Sequence, residues 1–148
     1  MEKTTSVWDQ VRADHRKNLG ESLTKQLEKK GFQAQYAATG EEAAQAVLDL
    51  IPEGASVGIP GSVTIRELGV MKRLESRGCK VFHHWDPELT RETKGPRLED
   101  ELKSDIFLTS SNAITLDGMI VNIDGTGNRV AGIAWTQGKL ILVISLNK

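Results

Sequence analysis

The fold is decided by the stretch ASVGIPGSVT, residues 55–64. Its small and apolar residues up to Ile59 predict a buried strand, and Pro60 and Gly61 predict a turn directly after it. A helix follows the turn, because apolar residues recur at positions 65, 68, 71 and 74 before Gly78 ends the pattern. A strand that passes directly into a helix is the first half of a βαβ unit and predicts a parallel sheet.

The same alternation continues on both sides of this stretch. Further strands are predicted over residues 32–38, 79–83, 105–109, 119–123 and 139–146. Further helices are predicted over residues 6–30, 41–51 and 127–135 and over parts of 87–104, which Gly95-Pro96 interrupts. The alternation predicts one α/β domain over residues 1–148, with a three-layer, mainly parallel twisted sheet, helices on both faces and Rossmann-like connections. We expect the first helix, within residues 1–31, to pack on this domain.

The composition excludes several classes of protein. A chain of 148 residues can bury one core of ordinary size. Its 19 basic and 20 acidic residues leave a net charge of -1, so no field would attract nucleic acid. The single cysteine, Cys79, excludes an internal disulfide framework. No apolar run approaches the ~18 residues of a membrane span and the N-terminus is not signal-like, so we expect a cytoplasmic protein without a membrane partner.

The turn after the strand at 55–59 is a candidate anion site. The backbone N–H groups of a helix N-terminus point outward there, and Gly58 and Gly61 allow a ligand to approach the main chain. Ser62 and Thr64 add hydroxyl donors for a phosphate or carboxylate. Glu67, one turn into the helix, is a candidate catalytic base or substrate clamp. The alternative roles are structural. Ser62 would cap the helix, and the solvated carboxylate of Glu67 would stabilise the helix by interacting with its positively charged N-terminal end.

Residues 110–129 are richer in polar residues and glycine than packing requires. Asp117-Gly118 predicts a hairpin turn, and Asn122 and Asp124 share one face of a short strand. The glycine-rich run that follows enters a helix and forms a second loop able to hold an anion, with Asp124 as the second catalytic candidate. The other candidate ligand-binding residues are Ser110, Asn112, Asn122, Gly125, Thr126, Asn128 and Arg129. Structural roles are the alternative for Asp117, as a turn residue, and for Asn128, as an N-cap.

Two parts of the sequence resemble a known family. TSSNAITLDG, residues 109–118, and VNIDGTGNRVA, residues 121–131, look like the LUD domain of lactate-utilisation proteins. Residues 58–69 resemble an earlier motif of the same domain through their Gly-Ser-x-Thr and Glu-x-Gly spacing. The resemblance implies a fold shared with ribose-5-phosphate isomerase, glucosamine-6-phosphate deaminase and the CoA-transferases. It also implies a role in converting L-lactate to pyruvate alongside iron–sulfur partner proteins.

Two residues depart from the pattern of a related isomerase. Residues 112–131 are remotely similar to a segment of methylthioribose-1-phosphate isomerase, but Asn112 stands where that enzyme has an aspartate, and Asp124 replaces a lysine. An amide cannot take up a proton, so we do not expect the isomerase mechanism. Longer members of the LUD family carry a cysteine-rich tail that this sequence lacks. We therefore expect no cofactor in this chain, and a redox role would depend on a partner.

The sequence supports two hypotheses of function. Loops that follow separate parallel strands meet at one edge of the sheet, so residues 58–64 and 110–129 would enclose a small anionic or phosphorylated metabolite. The chain would be a subunit acting in oxidation of L-lactate to pyruvate or, alternatively, a non-catalytic ligand-sensing or scaffold module, and a homo-oligomer is open in either case. His83 and His84 are adjacent in a strand and point to opposite faces, which disfavours a shared metal site but leaves either as a pocket-lining candidate.

Overall fold

The computed structural model describes residues 6–147 of the chain. Its helices, in chain order, are α1 Val7–Lys29, α2 Gly40–Leu50, α3 Val63–Glu67, α4 Val70–Ser76, α5 Arg91–Lys103 and α6 Asn128–Trp135. Its strands are β1 Ser56–Gly58, β2 Lys80–Phe82, β3 Ile106–Thr109, β4 Ala113–Ile114, β5 Ile120–Val121 and β6 Lys139–Leu142. The strand at 55–59 and the helix after it, from which the fold was predicted, are both present.

Four of the strands form a parallel sheet in the order β2-β1-β3-β6. The longest ladder joins β3 to β6, from the pair Ile106 and Lys139 to the pair Thr109 and Leu142. The strands β4 and β5 lie outside this sheet and pair with each other as an antiparallel hairpin. The Asp117-Gly118 turn connects them, and Gly118 has the positive φ of 80° that such a turn requires.

Helices cover both faces of the sheet. On one face, α2 and α4 bury their apolar sides against Ile106 and Leu108 of β3 in a single core cluster. On the other face, α5 contacts β1 and α6 contacts β3. Side chains alternate along a strand, so Phe107 points to this second face, and Thr109 follows it on the same side. The three-layer, mainly parallel α/β fold is therefore confirmed.

Two glycines allow the helices of the second face to approach the sheet closely. A Cβ atom at Gly58 would lie 2.0 Å from the main-chain oxygen of Glu101, so α5 packs directly on β1. A Cβ atom at Gly132 would lie 1.9 Å from the ring of Phe107, so α6 packs in the same way on β3. Neither distance leaves room for a side chain. The first contact is what brings Glu101 over the centre of the sheet.

The connections indicate a crevice at the carboxyl ends of the two central strands. From β1 the chain runs through α3 and α4 to β2 on one side, and from β3 it runs through α6 to β6 on the other side. Adjacent strands whose connections leave in opposite directions form the switch point at which ligands bind in such sheets. The loops after β1 and β3 flank this point.

Several predicted elements differ in the structure. Residues 32–38 form no strand, because Tyr36 packs its ring on α1 at Gly20 instead of joining the sheet. The helix predicted after Ser62 is divided at Gly69, which has a φ of 66°. Conversely, α5 runs through Pro96 without a break, since the carbonyl group that Pro96 leaves without a hydrogen bond lies on an exposed face. The strands predicted at 119–123 and 139–146 are shorter, at 120–121 and 139–142.

The first helix packs on the domain only through its second half. Gly20 and Leu23 are buried, whereas Val7, Trp8 and Val11 are 79%, 69% and 50% exposed. The C-terminal part of α1 also meets the hairpin, because Gly118 lies beside Gln26. Within residues 6–147, no helix is both long and apolar enough to cross a membrane.

Candidate functional site

A buried carboxylate lies beneath the crevice at the carboxyl ends of β1 and β3. Glu101 of α5 has 0% of its surface exposed, although it belongs to a strongly charged helix. Its Oε1 atom lies 2.9 Å from Nδ1 of His84, which follows β2. Its Oε2 atom accepts a hydrogen bond of 3.3 Å from Nδ2 of Asn128, the first residue of α6. Both carboxylate oxygens are thus held by side chains from different elements.

The protonation of this group is set by two opposing influences. Burial raises the pKa of Glu101 above its usual value, while the contacts with His84 and Asn128 act in the opposite direction. The net shift is upward. A carboxyl group in this position holds a proton more tightly than an exposed glutamate does, and it does so in direct contact with an imidazole.

The loop after β1 lies against the outer edge of the His84 ring. Gly61 has a φ of 75°, a backbone conformation that favours glycine. A Cβ atom at Gly61 would lie 2.9 Å from Cε1 and 3.0 Å from Nε2 of His84, and 3.4 Å from Cζ2 of Trp85. Glu101 therefore orients the imidazole through Nδ1, and the loop 58–64 can lie against the Nε2 edge of the ring because position 61 has no side chain.

These contacts link the two segments that the sequence singled out. Gly61 belongs to the loop 58–64 and Asn128 to the segment 110–129, and His84 and Glu101 connect them. Neither connecting residue comes from the predicted segments. Ser62 of the first loop is 3% exposed, and its hydroxyl group accepts the N–H of Ile65 at 3.3 Å, so it caps α3.

A second set of hydrogen bonds connects the hairpin to the start of α6. Oδ1 of Asn112 accepts hydrogen bonds from the backbone N–H of Ile123 at 2.9 Å and from Nη2 of Arg129 at 2.6 Å. The same Nη2 atom donates to the carbonyl oxygen of Ile123 at 2.6 Å. The amide oxygen that replaces the isomerase aspartate at position 112 is therefore engaged within the protein.

The chain is matched by one family model. The model of the LUD domain covers residues 20–148. The chain belongs to the LUD domain family. It is thus a domain related to lactate utilisation, as the motifs at 109–118 and 121–131 indicated. No curated protein and no solved structure matches the chain. Kinship with the isomerase and CoA-transferase group stays a prediction.

Asp124 caps the last helix of the LUD domain. Its Oδ2 atom accepts the backbone N–H groups of Arg129 and Val130 at 2.8 and 3.1 Å, and its Oδ1 atom accepts that of Thr126 at 3.2 Å. Partial burial alone would raise the pKa of Asp124, but these backbone hydrogen bonds outweigh it and lower the pKa. Asp124 itself thus fills the predicted anion site at the N-terminus of α6. Its catalytic role stays a prediction, and the N-cap position belongs to Gly127 rather than Asn128.

The remaining candidates differ in how close they come to the crevice. Gly58 has a packing role beneath α5, whereas Ser110 is buried directly after β3. Thr64 is half-buried in α3, and Glu67 is exposed at the end of that helix. In the second segment, Asn122 is half-buried, whereas Gly125 and Thr126 are exposed. Within residues 6–147, the buried atoms Thr109 Oγ1, Asn122 Oδ1 and Arg129 Nε have no hydrogen-bond partner.

Sequence reasoning did not single out Glu101, the residue whose carboxylate connects His84 with Asn128. The signal was present, because Glu101 stands with Leu98 and Leu102 at the spacing of three and four residues that marks the buried face of a helix. A carboxylate in such a stripe is unusual, since charged residues are rarely fully buried without a partner. The partner, His84, lies 17 residues away in sequence and could not be inferred from local pattern.

The second histidine occupies a different environment. Burial lowers the pKa of His83, and its Nδ1 atom has no hydrogen-bond partner within residues 6–147. Both histidines lie after β2, which ends at Phe82, so the strand alternation from which their opposite directions were predicted is absent. No group of three or more His, Cys, Asp or Glu side chains within the described residues could hold a metal ion.

An arginine borders the crevice on the side of α3. The guanidinium carbon of Arg66 lies 4.6 Å from the centre of the Trp85 ring, an arrangement in which the ring attracts the cation. Trp85 in turn borders Gly61. The charge of Arg66 is therefore held beside the loop 58–64, whereas Arg129 uses Nη2 to fasten the hairpin.

Proposed function

We propose that this LUD domain binds a small 2-hydroxy or 2-oxo carboxylate in the crevice between residues 58–64 and 110–129. It would do so as a subunit acting in the oxidation of L-lactate to pyruvate. The observation that carries the proposal is the connected set Gly61, His84, Glu101 and Asn128 at the switch point of the sheet. Polar groups at such a switch point, next to an imidazole whose Nε2 edge faces the loop 58–64, suit a ligand that carries both a carboxylate and a hydroxyl group.

The charge pattern supports a carboxylate ligand. Arg66 provides a cation beside the loop 58–64 and is kept there by Trp85. A guanidinium group can form two parallel hydrogen bonds with a carboxylate, which fixes both position and orientation. Thr64, half-buried on the same short helix, adds a hydroxyl group. Arg66 therefore takes the anion-binding role that the sequence hypothesis gave to Arg129.

The chemistry requires a second protein. L-lactate loses two electrons and two protons when it becomes pyruvate. The hydroxyl proton goes to a base of the site, and the hydrogen on C2 leaves with the bonding electron pair as a hydride equivalent. We assign the acceptor of that pair to a two-electron organic cofactor of the flavin or nicotinamide class on a partner protein, from which iron–sulfur clusters would carry the electrons away one at a time. Within this proposal, the LUD domain binds and orients the hydroxy acid.

Calorimetric titration of the isolated chain with L-lactate, pyruvate, D-lactate, ribose 5-phosphate and inorganic phosphate tests the proposal. We expect L-lactate and pyruvate to bind more tightly than both phosphates. A ligand present at 100 times its Kd would also add about 2.7 kcal/mol to the free energy of unfolding. Failure of every carboxylate to bind would contradict the proposal, and preference for ribose 5-phosphate would favour isomerase-like recognition.

Two variants of matched chemistry locate the ligand. Arg66→Gln removes the cation beside the crevice and should weaken carboxylate binding at least tenfold, because a hydrogen bond to a charged group contributes roughly 1.5–3 kcal/mol. Arg73→Gln is the control, since Arg73 is engaged with Glu41 and Gln45 of α2. Equal affinities for both variants would remove Arg66 from the site. Tight binding without lactate-dependent reduction of any partner would instead support the ligand-sensing or scaffold alternative.

A further inference from the structure

The buried carboxylate of Glu101 orients the imidazole of His84 beside the loop 58–64. Neither residue was among the predicted catalytic groups. We propose that His84 is the acid–base residue of the LUD site and that Glu101 is its positioning residue. This inference rests on the proposed function, because it names the group that exchanges the hydroxyl proton of the bound 2-hydroxy acid. It replaces Glu67 and Asp124 in that role.

The hydrogen-bond geometry fixes which nitrogen reacts. With Glu101 ionised, Nδ1–H of His84 donates to Oε1 at 2.9 Å, so the lone pair of the neutral imidazole is on Nε2. Nε2 is on the edge of the ring that faces Gly61. Asn128 holds the second oxygen of Glu101, which keeps the carboxylate from rotating away from the ring. The arrangement presents a base to the loop 58–64 and to whatever ligand that loop binds.

The proton step balances within these residues. In the direction of oxidation, the O–H bond of the 2-hydroxyl group breaks and an N–H bond forms at Nε2 of His84. The hydrogen on C2 leaves with its electron pair to the hydride acceptor of the partner, and the C2–O bond becomes a carbonyl. The buried Glu101 carboxylate stabilises the resulting imidazolium, which then releases its proton to solvent. In the direction of reduction each step is reversed.

A structural role explains the same contacts less well. Replacing both partners of a buried hydrogen bond by apolar groups of the same shape is often neutral or stabilising, so the pair is not needed to hold α5 on the sheet. The packing of α5 follows already from Gly58 and from the leucines on either side of Glu101. The glycine at position 61 adds an independent observation, since any side chain there would press on the reactive edge of His84.

Proton uptake on ligand binding tests the inference without a partner protein. At pH 8, L-lactate can donate its hydroxyl hydrogen to neutral Nε2, whereas the oxo group of pyruvate needs a donor there. Calorimetry in buffers of different ionisation enthalpy should therefore show proton uptake approaching one per site for pyruvate and near zero for L-lactate. The other titratable or charged side chains on the adjoining segments include His83, Arg66, Glu67, and the pair Asp86 and Arg97, whose charged atoms lie 4.0 Å apart.

Variants separate the two roles. His84→Gln should abolish the pyruvate-linked proton uptake, and the exposed His15 gives the control variant His15→Gln. Glu101→Gln should weaken pyruvate binding at least tenfold and L-lactate binding less than threefold, because only the imidazolium form depends on the carboxylate. Its control is Glu99→Gln on the exposed side of α5. The ¹⁵N shifts of the His84 ring provide a readout that does not depend on ligand affinity, since loss of the carboxylate alters the tautomer.

The outcomes distinguish this inference from the proposed function. If neither L-lactate nor pyruvate binds, the proposed function fails and the inference fails with it. If both bind with equal proton uptake that His84→Gln leaves unchanged, the carboxylate site stands and the acid–base role of His84 is wrong. Should Glu101→Gln fold poorly, the comparison of His84→Gln with His15→Gln still decides the point.

Discussion

Replacing Gly61 with alanine would introduce a methyl group at the closest approach between the loop 58–64 and His84. Two costs can be worked from the structure. The backbone at Gly61 has a φ of 75°, and the left-handed region costs a residue with a Cβ atom roughly 1–2 kcal/mol. The new Cβ would also lie 2.9 and 3.0 Å from ring atoms of His84, well inside the ~3.5–4.0 Å at which such atoms attract each other.

The imidazole can relieve that contact only by turning away from Glu101. The hydrogen bond of 2.9 Å between His84 and Glu101 would then be lost, and an unsatisfied buried polar group costs roughly 1–3 kcal/mol. The total expected for Gly61→Ala is therefore about 2–5 kcal/mol. Gly69→Ala supplies a close control, because Gly69 has a φ of 66° and a Cβ atom there would meet nothing within 4 Å. Its cost should be only the backbone contribution of about 1–2 kcal/mol.

Urea denaturation at 25 °C gives the free energy of unfolding of both variants. The values can be compared if the slope of this free energy against urea concentration is the same in both. Gly61→Ala should be less stable than Gly69→Ala by about 1–3 kcal/mol, and it alone should alter the ¹⁵N shifts of His84 and reduce pyruvate affinity. The reasoning is refuted if the two variants have the same stability and both bind pyruvate as the unaltered chain does. In that case the loop does not press on the imidazole.

Three further predictions concern packing and protonation. Gly132→Ala should destabilise the protein by about 3 kcal/mol or more in urea, because the new Cβ would overlap the ring of Phe107. Asp124→Asn should cost about 0.5–2 kcal/mol at pH 7 by weakening the cap of α6. The folded-state pKa of Asp124 is lowered, so this stabilisation is complete above the unfolded pKa and is lost as pH falls through the folded value; the cost should shrink in melts near pH 3. The folded-state pKa of Glu101 is raised, so its contribution is complete below the unfolded pKa and is lost as pH rises through the folded value. When the free energy of unfolding is measured from pH 4 to pH 8, the Glu101→Gln variant should not show this loss of stability.

The layout of the sheet followed from local signals. The strand at 55–59, the turn at Gly61 and the cap at Ser62 all act within a few residues, and each is present in the structure. The Asp117-Gly118 turn likewise specifies the hairpin between β4 and β5. The strand predicted at 32–38 failed for a different reason. Tyr36 packs on α1 at Gly20, a contact that the local pattern does not contain, whereas Phe32 is 43% exposed.

The sequence predicted which loops follow the central strands, but not which side chains would connect them. Parallel strands with polar loops at their carboxyl ends indicated the edge at which residues 58–64 and 110–129 would meet. The sequence did not indicate which polar side chains of those loops form hydrogen bonds within the protein. Asp124 caps α6 and Asn112 fastens the hairpin, and both uses depend on where the chain returns after β5.

The close packing of α5 on β1 determines where the carboxylate of Glu101 lies. Gly58 lets α5 rest on β1, and that close approach puts the helix face with Glu101 over the crevice rather than toward solvent. An apolar residue between Leu98 and Leu102 would serve the core at least as well, because a buried charge needs partners to offset its desolvation. The sequence instead supplies those partners from two other elements, through His84 and Asn128. Packing alone does not account for this arrangement, and this is the reason for proposing an acid–base role for His84.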